Sequence, residues 1–548
     1  MRKRIVLFAA FLLAAGFSAT ALAESYTDGI DYYKSGQPER AKIILTKTLN
    51  DPTTYKAEAY YYLGESEFAL GNKEAAKGYY NNGVASDANY PFNYVGLGKL
   101  LLDNPATLKE ASSNFKQAVK LAKKANSVAG VNTDIARAYF EAGMPDYKKY
   151  LNDALKFDDR YAPAYVLQGD IYAKENNSGE AAGMYEMAHS FDSGCIEAYV
   201  KYALLHYPIN PRFATAKLEE LLSGHPSSAI AQRELAEAYF NAGRFNDAVS
   251  AYARYMANPN HFASDRARYA ALLYFDKKYE ESLTLIEKAL PEEPDNLILN
   301  RFAMYDNFAL ENYEQAADFG KAFMNNPANA KFLTSQDYII YGGALKEIDR
   351  PEEYVAALEA AVKADPSKPE VYKELSDAYG SAGQMIKSAD TMAKYIEMIE
   401  DEVKTADFYS LGKIYYQAAQ DTAQVLEERI ALFQKADSLF TIVTERAPEN
   451  YLGFFWRARA NTGMDPETET GLAKPYYEKV IAMLEAEGNT GSSVIEAYRY
   501  MGYYYYLKEY DANMKGTLKG YPETKKWWNK ILAINPEDSI KDAMSQLD

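Results

Sequence analysis

A small residue returns along this chain at a period near 34, and that recurrence constrains the fold more than any other feature. Gly29, Gly64, Gly98, Ala136, Gly169, Ala203, Ala236, Ala270, Met304, Gly342, Ser376, Gly412, Ala460 and Gly502 form the series. Most intervals are 33–36 residues, with 38 twice and 48 and 42 at the end. A length of 548 residues would ordinarily divide into three or four domains. A sustained period instead means one supersecondary unit stacked many times, because each unit leaves an apolar face that only its neighbour can cover.

The rest of each unit repeats too. Large aromatics precede the anchor at Tyr60, Tyr94, Tyr165, Tyr199, Tyr338, Tyr372, Phe408, Trp456 and Tyr498. Three residues beyond it stand Tyr32, Tyr139, Tyr172, Tyr239, Tyr379, Tyr415 and Tyr505. A second small place follows at Ala41, Ala76, Ala111, Ala181, Ala216, Ala248, Ala316, Ala357, Ala436 and Ala473, with Ser282, Ser388 and Thr524 as substitutes and Tyr147 as a departure. Gly36, Gly71, Gly143, Gly243 and Gly383 fall where a left-handed turn would join two helices. Pro52, Pro226, Pro259, Pro294, Pro327, Pro448 and Pro536 close units, since proline cannot continue a helix. The small anchors let two helices approach closely, and the aromatics fill the space beside them.

This pattern resembles the tetratricopeptide repeat, W-x2-L-G-x2-Y followed by A-x3-F and P. The resemblance covers essentially all of 24–548. It implies an all-α, right-handed α-solenoid (superhelix) of about 14 helix pairs, with 537–548 as a capping helix. Residues 24–402 read as a regular array of about 11 repeats. Residues 403–548 read as irregular repeats, with a lengthened repeat 12, a longer connection at 464–475 and an insertion around 511–520.

The resemblance also implies a concave groove lined by first helices. Groove-facing places hold Tyr33, Phe68, Phe140, Tyr207, Phe240, Tyr274 and Phe308, a ladder of rings suited to a peptide or a sugar chain. Arg137, Arg233 and Arg301 fall at similar places. Arg457, Asn461 and Arg499 come nearest to the family's clamp for a peptide carboxylate, which arginine can hold bidentately.

Residues 1–23 read as an export signal: Arg2, Lys3 and Arg4, an apolar run from Ile5 to Gly16, and Ala21-Leu22-Ala23 as the cleavage site. No cysteine follows for a lipid anchor, and the apolar run is too short to span a bilayer. The expected location is the periplasm, with secretion as the alternative. The single Cys195 excludes an intrachain disulfide. Lys and Arg number 60 against 77 Asp and Glu, a charge of −17 that disfavours nucleic acid. Four scattered histidines (His189, His206, His225 and His261) lack metal-ligand spacing, and no nucleotide or nucleophile motif is present. The expectation is a protein without cofactor, metal or catalysis, binding another envelope protein or peptide. A glycan- or peptidoglycan-binding module is the alternative. The 49 tyrosines are then largely a repeated packing element.

Overall fold

The computed structural model describes residues 25–547, so the proposed signal lies outside the described residues. Among the described residues there are fourteen antiparallel helix pairs, a short last helix Ile540–Ser545, and no strand. Residues up to Phe302 and residues from Ala303 form two compact units, dividing within helix Leu297–Ala309. The longer connections after residue 402 fall inside the second unit.

The anchors explain why the pairs pack. All fourteen are buried. A Cβ placed on Gly64 or on Gly96 would come within 2.3 Å of the Tyr80 ring, so that ring is wedged between two successive first helices. Phe115 fills the space at Gly98, Tyr185 at Gly169, Phe440 at Gly412 and Trp528 at Gly502 in the same way. Each such ring removes from water enough apolar area to contribute about 1.5–3 kcal/mol. The five turn glycines all take positive φ, from 71° to 85°. At the second small place Ala41, Ala76, Ala248, Ala316 and Ala436 are fully buried. Ala216 is not: it is exposed, and Ala214 takes the buried position instead. Helix Pro211–Gly224 turns Ala214 and Thr215 inward and leaves Ala216 on its outer face.

The irregular repeats take specific forms. The added residues of repeat 12 form a 21-residue second helix, Leu426–Arg446. Those of repeat 14 mostly prolong its first helix, Ser492–Met514, to 23 residues rather than forming a loop throughout.

Candidate binding cavity inside the first unit

In the first unit the first helices of successive pairs touch one another, from Tyr26–Lys34 through Lys56–Ala69, Phe92–Lys99, Val128–Glu141, Ala162–Lys174 and Ile196–His206 to Ala229–Asn241. Helix Tyr26–Lys34 then touches Ile196–His206 and Ala229–Asn241 in turn, so the row closes into a ring. Polar locks hold the closure. Arg40 donates to both oxygens of Asp265 at 2.6 and 2.5 Å, Gln37 Nε2 donates to Glu234 at 3.3 Å, and Asn260 Nδ2 donates to Asp28 at 2.6 Å. Beneath them Tyr32 meets the edge of Phe262 at 5.4 Å, and Ile30 and Leu45 share one core with Tyr252 and Tyr255.

The ring surrounds a cavity of about 470 Å³. On one wall Glu65 accepts from Tyr33 Oη at 2.7 Å, Tyr80 Oη at 2.7 Å and Lys99 Nζ at 2.7 Å, and Lys99 also reaches Glu141 at 2.8 Å. Burial opposes the charge on Glu65, but Lys99 and the two hydroxyls outweigh it and hold the carboxyl below its ordinary range. On another wall stand Arg137 and Lys201, which both donate to Asp170 behind the lining, at 2.8 and 2.7 Å, while Lys201 pairs with Glu197 at 3.0 Å. Asp134 differs. Its partner is Tyr61 Oη at 2.9 Å, and burial pushes its carboxyl up to about 6. Glu58 likewise accepts only from hydroxyls, those of Tyr26 at 3.0 Å and Tyr90 at 3.5 Å. Tyr61, Tyr62 and Phe92 stand ring to ring, at 5.0 and 5.6 Å from Tyr61, beside these carboxylates.

Tyr33 and Arg137 are the expected groove residues that line the cavity. Phe140, Phe240, Tyr274 and Phe308 instead meet the ring that opens their own second helix: Tyr147 at 5.4 Å, Phe245 at 5.6 Å, Tyr279 at 5.5 Å and Tyr313 at 5.7 Å. Lys99 lies over Phe68 at 4.4 Å, and Tyr207 Oη donates to Glu234 at 2.9 Å. Arg233 pairs with Glu234 at 2.7 Å and Asp265 at 3.4 Å, and Arg301 is half-buried on helix Leu297–Ala309. In the second unit Arg457 and Asn461 do converge on a carboxylate, that of Asp437, at 3.0 and 2.9 Å, and Arg499 holds Asp538 at 2.9 Å. The carboxylates in these clamps belong to the chain itself.

Sequence reasoning missed Glu65, Lys99, Asp134 and Lys201. A usable signal was present for two of them, since Glu65 and Lys99 directly follow anchors, as Arg137 does. The histidines take packing roles where their contacts are seen: His189 stacks on Tyr199 at 4.6 Å and His206 on Tyr202 at 4.1 Å. Burial pushes the Cys195 thiol up to about 12, which keeps it protonated. Among the described residues no group of three or more His, Cys, Asp or Glu could hold a metal ion, and no helix is long and apolar enough to cross a membrane.

Stacked antiparallel helix pairs around small anchors define the class as a helical-repeat protein. The tetratricopeptide repeat family model matches residues 210–261, which hold helices Pro211–Gly224, Ala229–Asn241 and Phe245–Met256. The chain thus carries a tetratricopeptide repeat at 210–261, within a fold of paired helices. It is similar to a protein CTR9 homolog of Arabidopsis thaliana, 28% identical over 335 residues, which are 48% of this chain. The match spans only 30% of that relative's length. Among solved structures it is similar to the C-terminal part of a TPR repeat-containing protein from Cytophaga hutchinsonii, at 27% identity and TM-score 0.35, covering 52% of this chain and 99% of that one. A second is YrrB, described as a TPR protein with an unusual peptide-binding site, at 17% identity and TM-score 0.28, covering 38% of this chain and 98% of that one.

Proposed function

We propose that the protein is a non-catalytic scaffold that binds another protein, and that the first unit's cavity receives a short basic segment of that partner. The observation that carries this reading is the imbalance of pairing on the cavity wall. Glu65 and Glu197, and Asp170 behind the lining, form ion pairs with lysine or arginine, whereas Glu58 and Asp134 accept hydrogen bonds only from tyrosine hydroxyls, with Arg137 and Lys34 acting on Asp134 from farther off. A lysine or arginine head entering there would meet two carboxylates and the faces of tyrosine rings, both favourable to a cation. The volume admits a side chain or a chain terminus rather than a length of extended peptide.

Selection from a random displayed-peptide library tests this. Recovered sequences should be rich in Lys and Arg, and Asp134→Asn with Glu58→Gln should abolish their capture. Capture unaffected by that double variant would sink the cavity as the binding site. For a glycan, the free ring faces expected of a ladder are reduced by the turn contacts of Phe140, Phe240, Tyr274 and Phe308. A glycan array with the native protein checks that alternative.

The scaffold belongs, on this reading, to the bacterial cell envelope, exported to the periplasm or secreted, and accessory to assembly, secretion or TonB/ExbB-linked uptake. The support is the leader pattern from Arg2 to Ala23. Cell fractionation with N-terminal sequencing should find a mature chain starting at Glu24 outside the cytoplasm. An uncleaved cytoplasmic chain would overturn the assignment.

A further inference from the structure

The third and fourth repeats break the pattern: their anchors are 38 apart, and Tyr147 stands near the second small place. In the structure the extra residues go into helix Leu108–Ala125, 18 residues long, while the next second helix, Tyr147–Phe157, has only 11. The two leave a cleft of about 650 Å³ on a surface separate from the inner cavity. Its floor is apolar, from buried Phe115 and half-buried Val119 and Tyr150 to Phe157, which is 53% exposed.

Lysines flank that floor. Lys116, Lys120 and Lys123 come from one helix and Lys149 and Lys156 from the other, against one carboxylate, Asp153. All five lysines are exposed, and none makes an ion pair among the described residues. This is a concentrated basic surface on a chain whose net charge is −17. Lys116 and Lys123 are seven residues apart, as are Lys149 and Lys156, so each row presents charges about 10 Å apart along its helix axis.

We propose that this cleft docks an acidic amphipathic helix of a partner protein, its apolar stripe on the floor and its Glu or Asp side chains against the two lysine rows. A helix in an apolar groove buries one stripe and leaves flanking positions for charge, and rows two turns apart match that geometry. The sign and extent of the charge select this occupant. A short helix confined to the cleft sits within the screening length of about 8 Å from the lysines. A long nucleic acid would run beyond them on a chain whose net charge is −17, and the cleft offers it no arginine. The exposed Phe157 ring needs an apolar partner that phosphates do not provide.

The test uses the full chain and a fluorescent synthetic 16-residue peptide with a Leu/Phe stripe flanked by Glu. Controls are the same composition scrambled, a single-stranded oligonucleotide, and phosphatidylserine vesicles. The ordered peptide should bind, more weakly as salt rises. Lys120→Glu with Lys149→Glu should weaken it by about 10-fold or more, and Phe157→Ala by roughly 5-fold, as expected for a buried anchor. Lys363→Glu, in the second unit, should leave it unchanged, and so should Asp134→Asn in the inner cavity. Circular dichroism melts confirm that each variant folds. Equal binding of the scrambled peptide would overturn the proposal, as would no binding of the ordered one at low salt. Tighter binding of the oligonucleotide or the vesicles, lost in the same lysine variants, would also overturn it.

Discussion

Arg40 grips both carboxylate oxygens of Asp265, at 2.6 and 2.5 Å, across 225 positions of sequence. The pair joins the second helix of the first repeat to the start of the eighth, and Tyr255 Oη donates to the same carboxylate at 2.6 Å. Burial opposes the charge on Asp265, yet Arg40, Arg233 and Tyr255 together hold its carboxyl below the ordinary range. The stabilisation from this depressed group is therefore present above its unfolded pKa and lost as pH falls through the folded value. The side chains are 21% and 6% exposed, so the pair is only weakly screened. Arg40→Ala should cost about 2–3 kcal/mol, since it leaves Asp265 buried with one charge partner fewer. Hydrogen exchange is the measurement: helices Tyr26–Lys34 and Pro38–Thr48 should lose protection first, and Asp265→Asn should add little once Arg40 is gone.

The same closure makes the first unit sensitive in the opposite pH direction. Burial pushes Asp31 up to about 7, with Lys34 opposing and Asp28 and Glu197 adding to the rise, and pushes Asp28 up to about 6 despite the hydrogen bond from Asn260. Their folded values exceed the unfolded value near 3.9, so between about pH 4 and 7 the folded state binds more protons. Stability from these groups then falls as pH rises through that window. Asp31→Asn should remove part of the slope and raise Tm at pH 8 by about 2–4 °C, equivalent to roughly 1 kcal/mol in a unit of this size. An unchanged difference between the pH 5 and pH 8 melts would refute it.

Glycine substitutions separate the packing role of the anchors from helix propensity. Alanine is favoured over glycine in a helix by about 1 kcal/mol. At Gly78 a Cβ meets nothing within 4 Å, so Gly78→Ala should stabilise by up to about that amount. At Gly64 the new Cβ would lie 2.3 Å from the Tyr80 ring, which is fully buried and bonded to Glu65. Overpacking of that kind costs about 1–3 kcal/mol and outweighs the propensity. Gly64→Ala should therefore lower the midpoint of denaturant unfolding while Gly78→Ala raises it.

The repeat was legible because its determinants are local and recur: an anchor, a turn glycine and a small residue on the second helix are read within one unit. Ala216 shows where this stops, since Ala214 and Ala216 are chemically alike and only the phase of helix Pro211–Gly224 against its neighbours decides which is buried. The ring closure left no comparable trace. Asp28 with Asn260, Gln37 with Glu234 and Arg40 with Asp265 are single polar pairs, each joining residues far apart in sequence, and none repeats. The direction of the expected groove rings depends on the second helix. Phe240 meets Phe245 at 5.6 Å and Phe275 at 5.3 Å under Arg268 at 4.3 Å, contacts that a position in a pattern does not contain.

In the second unit Asp465 organises the long connection before helix Lys474–Ala486. Its carboxylate accepts from the backbone N–H of Glu469 at 3.0 Å, Thr470 at 3.1 Å and Gly471 at 2.7 Å, and from Thr470 Oγ1 at 2.8 Å. Burial acts against the charge, but these donors hold the carboxyl below its ordinary value, so their contribution is lost only as pH falls through that lowered value. The connection is thus ordered by one residue rather than being a free loop. Asp465→Asn is nearly isosteric yet turns one acceptor oxygen into an N–H donor, so either the Glu469 amide on Oδ1 or the Thr470, Gly471 and Leu472 amides on Oδ2 lose their partner. The cost should be about 2–3 kcal/mol, typical of buried donors left unsatisfied beside a lost charge-assisted bond. Limited proteolysis reads it directly: cleavage within 466–472 should accelerate about 10-fold or more in the variant, with no change within Tyr26–Lys34. Cleavage at the wild-type rate would show that packing of the buried Thr468 and Ala473, not the Asp465 carboxylate, holds the segment in place.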